Sequence, residues 1–401
     1  MHVSVLKLHP FKIRQAIMPT KTTLTCLMFA VLGAVSYSAS AAPTYTVSPV
    51  GLLSSPYVAD VYGALNNSGQ LAGYAYDSNQ LTRAYSYGNG TRTNLDPAGA
   101  LASRGNGIND AGTVVGTVTH IENRAYIDRA TVFHGNGVAT DLGTLGGSSS
   151  YANGINNAGT VVGTAYVSAN TTFHAFVTQG GKLADIGTLV GASGYSEAYA
   201  INEQGLVVGY SLASDGGQHA FSYANGTMSD LGTLGGRNSN AYAVNGSGVI
   251  AGYASLAGDD LAHAFVYANG AMTDLGTMGA DFSIAYDIND AGDVVGGLET
   301  YGADGISKVN QAFLYSDGQM TDLNSLIDPA AGWNLQWATA INDKGQIAAR
   351  GCQLDGNCQD LLLTLADSGE PVSNVPEPEA FTAGIAGLAL FGLLRRRRSA
   401  R

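Results

Sequence analysis

The chain has 401 residues and a formal charge of −12, with 12% charged residues and 54 glycines. A charge-poor chain that is 45% apolar is neither a coiled coil nor a disordered segment, because it has ample apolar surface to bury. Residues 42–376 hold 10 basic against 29 acidic side chains, about −19, which argues against nucleic acid as a partner.

Residues 1–41 read as a secretory signal peptide. Lys21 precedes an apolar stretch from Leu24 to Val35, and the small residues Ala39-Ser40-Ala41 follow. Signal peptidase is expected to cut between Ala41 and Ala42, because a cut one residue later would place Pro43 at the new N-terminus. Met18 begins a signal of ordinary length, so residues 1–17 are surplus to the pattern and the true start is open between Met1 and Met18. A permanent membrane anchor is the weaker reading. Cys26 lies early in the apolar stretch, away from its small-residue end, which does not fit a lipoprotein cleavage box.

Residues 42–370 are built from repeats. An apolar residue, Asn, two further residues, Gly and a short apolar run recur at Asn66, Asn109, Asn156, Asn202, Asn245, Asn289 and Asn342. The spacings are 43, 47, 46, 43, 44 and 53, a mean near 46. In one unit, Ala198-Tyr199-Ala200-Ile201 and Leu206-Val207-Val208-Gly209-Tyr210 have strand character, and Asn202-Glu203-Gln204-Gly205 joins them as a tight hairpin. His219-Ala220-Phe221-Ser222-Tyr223 reads as a third strand. Asn225-Gly226 is a strong hairpin signal, and residues 228–231 form a fourth strand. Four strands per unit is the arithmetic of a propeller blade, so the expected fold is an all-β, seven-bladed β-propeller with no helix between Thr44 and Ala366. An open β-solenoid is the alternative. The seventh unit has strand candidates at 338–341, 346–350 and 361–365 but no fourth phrase. Residues 45–53 supply one, with Pro49-Val50-Gly51-Leu52-Leu53 aligned on Asp141-Leu142-Gly143-Thr144-Leu145. The N-terminal strand is therefore expected to complete the last blade and close the ring.

Cys352 and Cys358 are the cysteines that remain beyond the signal, and in an exported chain they read as a disulfide, since a zinc site would need two further ligands. His174, His219 and His263 occupy one equivalent place per unit. Placed far apart by the ring, they read as strand histidines with backbone partners in preference to metal ligands. Asp141, Asp185, Asp230, Asp274 and Asp322 also recur once per unit and read as turn-capping residues, with calcium binding the lesser alternative. Trp333 and Trp337 lie in the irregular segment before the last unit, where core packing is preferred over a sugar-gripping platform. No nucleophile elbow, phosphate loop or His-Glu-x-x-His pattern is present, and the prominent polar residues are the repeated ones. No catalytic, metal or cofactor-binding residue is assigned, and the chain is read as a non-enzyme.

The phrases His174-Ala175-Phe176, His219-Ala220-Phe221 and His263-Ala264-Phe265, with Gln311-Ala312-Phe313 as a variant, combine with the Asp-Leu-Gly-Thr-Leu phrases. Together they resemble the HAF-repeat family of bacterial extracellular proteins across roughly residues 45–366. The first unit departs from that pattern with Arg83-Ala84-Tyr85, and the seventh has no histidine.

The C-terminus has three parts. Residues 371–379 are a linker carrying Val375-Pro376-Glu377-Pro378, residues 380–394 are an apolar run, and Arg395, Arg396, Arg397 and Arg398 open a basic tail at 395–401. Fifteen helical residues span about 22 Å, short of the roughly 30 Å hydrocarbon core, yet four arginines form a strong cytoplasmic stop. The expectation is a transmembrane helix held transiently in the inner membrane. This ending resembles the PEP-CTERM sorting signal of Gram-negative bacteria. The resemblance implies recognition by an exosortase, removal of the tail near the motif, delivery to the cell surface or extracellular matrix, and association with exopolysaccharide. The combined reading is an exported, non-catalytic scaffold with extracellular polysaccharide as its candidate ligand. A polysaccharide-active hydrolase or lyase is the alternative, and a group of unlike carboxylates at the channel would favour it.

Overall fold

The computed structural model describes residues 45–50 and 63–366, apart from 259–260 and 306. The expected signal peptide with Ala41 and Ala42, the expected sorting motif, the 380–394 run and the arginine cluster lie outside the described residues. Among the described residues no helix is long and apolar enough to cross a membrane.

The described chain forms seven four-stranded antiparallel sheets, the blades of a propeller. Blade 4 shows the pattern, with strands Ser196–Ile201, Val207–Leu212, Gln218–Ala224 and Thr227–Asp230 paired in that order. Short 3-10 turns such as Leu323–Leu326 are the helical elements that the described residues contain. The two hairpin signals form as expected. Gly205 N–H donates to Asn202 O at 3.1 Å, and Asn225-Gly226 takes φ of 52° and 80°, the left-handed pair of a type I′ turn.

The seventh blade is completed from the other end of the chain. Tyr45–Pro49 pairs antiparallel with Cys358–Leu365, Thr46 opposite Thr364 and Pro49 opposite Leu361. The register matches the alignment read from the sequence. Pro49 faces Leu361 as Asp185 faces Phe176, and Val50 N–H donates to Asp360 O at 3.0 Å as Ile186 N–H does to Ala175 O at 3.1 Å. The remainder of the expected strand, residues 51–53, lies outside the described residues. The closing strand covers an edge that would otherwise stay unpaired.

The core lies in the seams between blades. Phe176, Phe221, Phe265 and Phe313, the third residue of each His-Ala-Phe or Gln-Ala-Phe phrase, are fully buried. Phe176 packs with Val161 and Ala165 of its own blade and with Val115 and Ala130 of the blade before. Truncating such a ring to alanine typically costs about 3–5 kcal/mol.

A serine six residues before the ring asparagine tightens each of five seams, the first being Ser103, which accepts from Ala84 N–H and donates to Asp96. Ser196 Oγ accepts from Ala175 N–H at 2.8 Å and donates to Gly187 O at 2.6 Å, tying the first strand of one blade to the preceding one. Ser239 and Ser283 repeat both bonds, and Ser150 does so between Ala130 and Gly143.

Cys352 and Cys358 stand opposite one another in the hairpin between Ile347–Gln353 and Cys358–Leu365, and they form a disulfide. Trp333 packs against the core of the last blade, as expected. Trp337 lies over Gly297 of blade 6, in space that a Cβ there would occupy, and its ring meets Tyr286 edge-on at 6.1 Å.

Candidate functional site

The seven repeated asparagines form a closed ring at one mouth of the central channel. Each Nδ2 donates to the backbone carbonyl of the next asparagine: Asn66 to Asn109, Asn109 to Asn156, and so on to Asn342, which returns to Asn66 at 2.9 Å. The Oδ1 of the same side chain caps its own turn, so Asn202 accepts from Gln204 N–H and Leu206 N–H. One residue type thus joins a hairpin and a blade interface. Aspartate at this place would cap the turn but could not donate when ionised.

The next residue builds a second, outer ring. Asn67 N–H donates to Asp110, Asp110 N–H to Asn157, Asn157 N–H to Glu203, Gly246 N–H to Asp290, Asp290 N–H to Asp343, and Asp343 N–H to Asn67. Gly246 has no side chain to receive the Glu203 amide, so this circle is interrupted between blades 4 and 5.

The His-Ala-Phe and Asp-Leu-Gly-Thr phrases meet within each blade. Nδ1 of His174 lies 2.8 Å from Asp185, that of His219 2.8 Å from Asp230, and that of His263 2.9 Å from Asp274. The expected backbone partner of these histidines is therefore corrected: a carboxylate on the neighbouring strand takes that role. The other expectation for the aspartates is met, since Asp185, Asp230 and Asp274 accept from Gly187, Gly232 and Gly276 N–H. Arg129 stands in the histidine place of blade 2, 3.5 Å from Asp141. Among the described residues no three His, Cys, Asp or Glu side chains group as a metal ion would need.

The channel encloses a cavity of about 1020 Å³, lined from the asparagine mouth through to Tyr76, Thr119 and Asp128. A β-bulge in the first strand, as between Ala198 and Ala200, sets which side chains face it. Beside the bulge the chains come very close. A Cβ on Gly209 would lie 1.9 Å from Glu197 O, which accounts for the glycine in the Val207-Val208-Gly209 phrase.

Three residues before the ring asparagine, the channel receives Asn106, Asn153, Tyr199, Tyr242, Tyr286 and Thr339 in six blades, and Gly63 stands there in the first. Five residues before, Arg104, Tyr151 and Glu197 line it in blades 2–4. One side is therefore aromatic. The Tyr199 and Tyr242 rings are 5.0 Å apart, and those of Tyr242 and Tyr286 are 5.8 Å apart. The other side is polar. Glu197 accepts from Tyr210 Oη at 2.9 Å and Asn153 Nδ2 at 3.3 Å, and Asp128 accepts from Thr119 Oγ1 and Tyr151 Oη at 2.7 and 2.9 Å. Arg104 lies over the Tyr74 ring at 5.2 Å. Burial holds the Glu197 carboxyl above its usual range, and burial together with the Asp128 charge raises the Tyr151 hydroxyl.

Asp287 breaks the repeat in another way. It stands two residues before Asn289, where the other six blades carry Ala64, Gly107, Gly154, Ala200, Ala243 and Ala340. Its oxygens accept from Ile341 N–H at 2.8 Å and Ile288 N–H at 2.9 Å, and burial pushes its carboxyl up to about 7. Glu197 and Asp128 are not among the residues expected from the sequence, and Asp287 counts there only within the acidic stretch Asp287 to Asp293, which leaves calcium binding open. Alignment of each unit on its asparagine marks Glu197 and Asp287 as unlike their counterparts, whereas Asp128 is brought in by a long hairpin with no repeat signal.

No family model matches the chain, and no curated protein does. Among solved structures, the chain is similar to the β-propeller domain of the Trilobed protease from Pyrococcus furiosus, with 8% identity, 82% of this chain and 98% of that one covered, and a TM-score of 0.48. A puromycin-hydrolyzing peptidase from Mycobacterium tuberculosis shares 12% identity over 77% of this chain at a TM-score of 0.45, and the match spans half of its length. A lectin from Aleuria aurantia, solved with Fucα1-6GlcNAc, shares 14% identity over 65% of this chain and 93% of its own at a TM-score of 0.38. No site residue is carried over from these likenesses.

Proposed function

We propose that this chain is an exported protein of the cell surface or extracellular matrix, and that its propeller is a non-catalytic scaffold that binds extracellular polysaccharide. Signal peptidase and an exosortase process its two ends, and the inner membrane holds it only in transit. The address rests on Ala39-Ser40-Ala41 and on Val375-Pro376-Glu377-Pro378 followed by an apolar run and four arginines. The observation that carries the binding role is where the repeat is strict and where it varies. Serines, alanines, asparagines and glycines that build the blades recur, while channel-facing places change from Asn to Tyr to Thr, and from Arg to Tyr to Glu. The variation gives the channel an aromatic side and a polar side, the mixed surface that a ligand site needs.

The polysaccharide-active enzyme is the second reading, favoured by one observation: Asp128 and Glu197 are unlike their counterparts and line the same cavity. Against it, both carboxylates already accept two side-chain hydrogen bonds.

The address is tested by replacing Pro376, Glu377 and Pro378 with alanine and fractionating the host. Retention of the full-length chain in the inner membrane is expected. Normal release of the variant contradicts an exosortase route.

A further inference from the structure

We infer that the central channel is a binding site for an amine-bearing saccharide, a glycan whose sugars carry protonated amino groups. The inference rests on the scaffold reading above and assigns its ligand class and its site.

Charge selects the ligand. Among the described residues, seven carboxylates line the channel and one cation, Arg104, faces them. Four of the carboxylates, Asp110, Glu203, Asp290 and Asp343, stand at the asparagine mouth, where they accept backbone N–H groups. Among the described residues none of the seven is in an ion pair. The four mouth carboxylates, held by amide donors, keep their net charge, whereas burial favours the neutral form of Asp287 and raises Glu197; a cleft lined by one sign concentrates counter-charged ligands while repelling like-charged ones. A uronate-rich polymer therefore meets repulsion, and a polymer of amino sugars meets attraction.

Shape and surface select a sugar over a simple amine. The cavity of about 1020 Å³ is at the upper end of the range for small-molecule sites, about 300–1,000 Å³, and accommodates several sugar rings. Tyr199, Tyr242 and Tyr286 offer a continuous aromatic wall on which the apolar faces of pyranose rings rest, and the same ring faces attract an ammonium group. Beside that wall, Asn106 and Asn153 line the channel with amide oxygens that can accept from hydroxyl groups, while their Nδ2 groups donate to Ala152 O and to Ala198 O and Glu197.

The test titrates the full chain by calorimetry with three oligomers of equal length: glucosamine, N-acetylglucosamine and a uronic acid. The glucosamine oligomer is expected to bind, at least about tenfold tighter than its acetylated form, which corresponds to about 1.4 kcal/mol, and the uronate is expected not to bind. Affinity should weaken with added salt and fall at least about tenfold in Tyr242→Ala, a size consistent with loss of one ring contact and its cation attraction. Tyr242→Phe, which keeps the ring, should retain affinity, and thermal melting of both variants separates lost binding from lost folding. Glu197→Gln should narrow the preference for the amine. A spermine control that binds as tightly as the oligomer overturns the saccharide assignment. Equal or tighter binding of the acetylated or uronate oligomer overturns the charge argument but leaves the scaffold reading intact. Binding of the glucosamine oligomer that neither Tyr242→Ala nor Glu197→Gln affects removes the channel as its site. Absence of binding by any saccharide fails both readings together.

Discussion

Asn202→Ala tests the ring on which the propeller's closure depends. The Asn202 side chain, 6% exposed, donates to Asn245 O at 3.0 Å and accepts from Gln204 N–H at 3.1 Å and Leu206 N–H at 2.9 Å. Asn245 O keeps a second donor, Gly248 N–H, but the Leu206 amide loses its side-chain acceptor. With a net worth of about 1 kcal/mol per bond and a further cost for an orphaned amide, the substitution should destabilise by about 3–4 kcal/mol. At about 2 °C per kcal/mol for a domain of this size, Tm should fall by roughly 6–8 °C. Asn157→Ala in the outer ring removes exposed bonds to Asp110 and should shift Tm by no more than about 2 °C. Asn202→Asp adds a pH signature. Its protonated form can still donate to Asn245 O, so the folded state raises its pKa. The stability it retains in acid is then lost as pH rises through that value. Thermal melts followed by circular dichroism at several pH values read all three variants. An Asn202→Ala protein that melts within about 1 °C of wild type refutes the view that this ring carries stability.

Asp287→Ala should change the pH dependence of stability. The folded carboxyl sits near 7 against an ordinary value of 3.8, so the folded state binds the extra proton and wild-type stability falls as pH rises from about 4 to about 7. The difference in Tm between variant and wild type should grow in the variant's favour across that window and then level off, and a constant difference contradicts the buried charge. Asp230→Ala removes the partner of His219 and the cap on Gly232 N–H, and melting should report a loss of about 1–2 kcal/mol. Reduction of the Cys352–Cys358 disulfide releases only a short hairpin loop and should lower stability by about 2 kcal/mol by the chain-entropy relation, read as a denaturant midpoint with and without reductant.

Much of the blade was legible in the chain because its turns use residues with few conformational alternatives. The Asn-Gly pairs and the Asn-x-x-Gly phrase mark hairpins by backbone sterics alone, and closure followed from a phrase missing at one end and present at the other. The histidine partners were not legible in one phrase, because His219 and Asp230 lie on adjacent strands and meet only once the register is set. The inter-blade serines do carry a sequence signal: Ser103, Ser150, Ser196, Ser239 and Ser283 each stand six residues before a ring asparagine. The channel was the least legible part. Its character comes from side chains of different blades converging on one axis, and a search for what repeats sets aside the places that differ. Glu197 and Asp287 are such places, and Asp128 reaches the channel only through the long hairpin of Val114–Glu122 and Ala125–Gly135.

The central claim, binding without turnover, is tested most directly by incubating the purified full chain with oligosaccharides and following bound and free species by mass spectrometry. The account predicts saccharide retained on the protein with its length unchanged, and affinity lost in Tyr242→Ala. Shortened products that disappear in Glu197→Gln or Asp128→Asn contradict it and establish the enzyme reading.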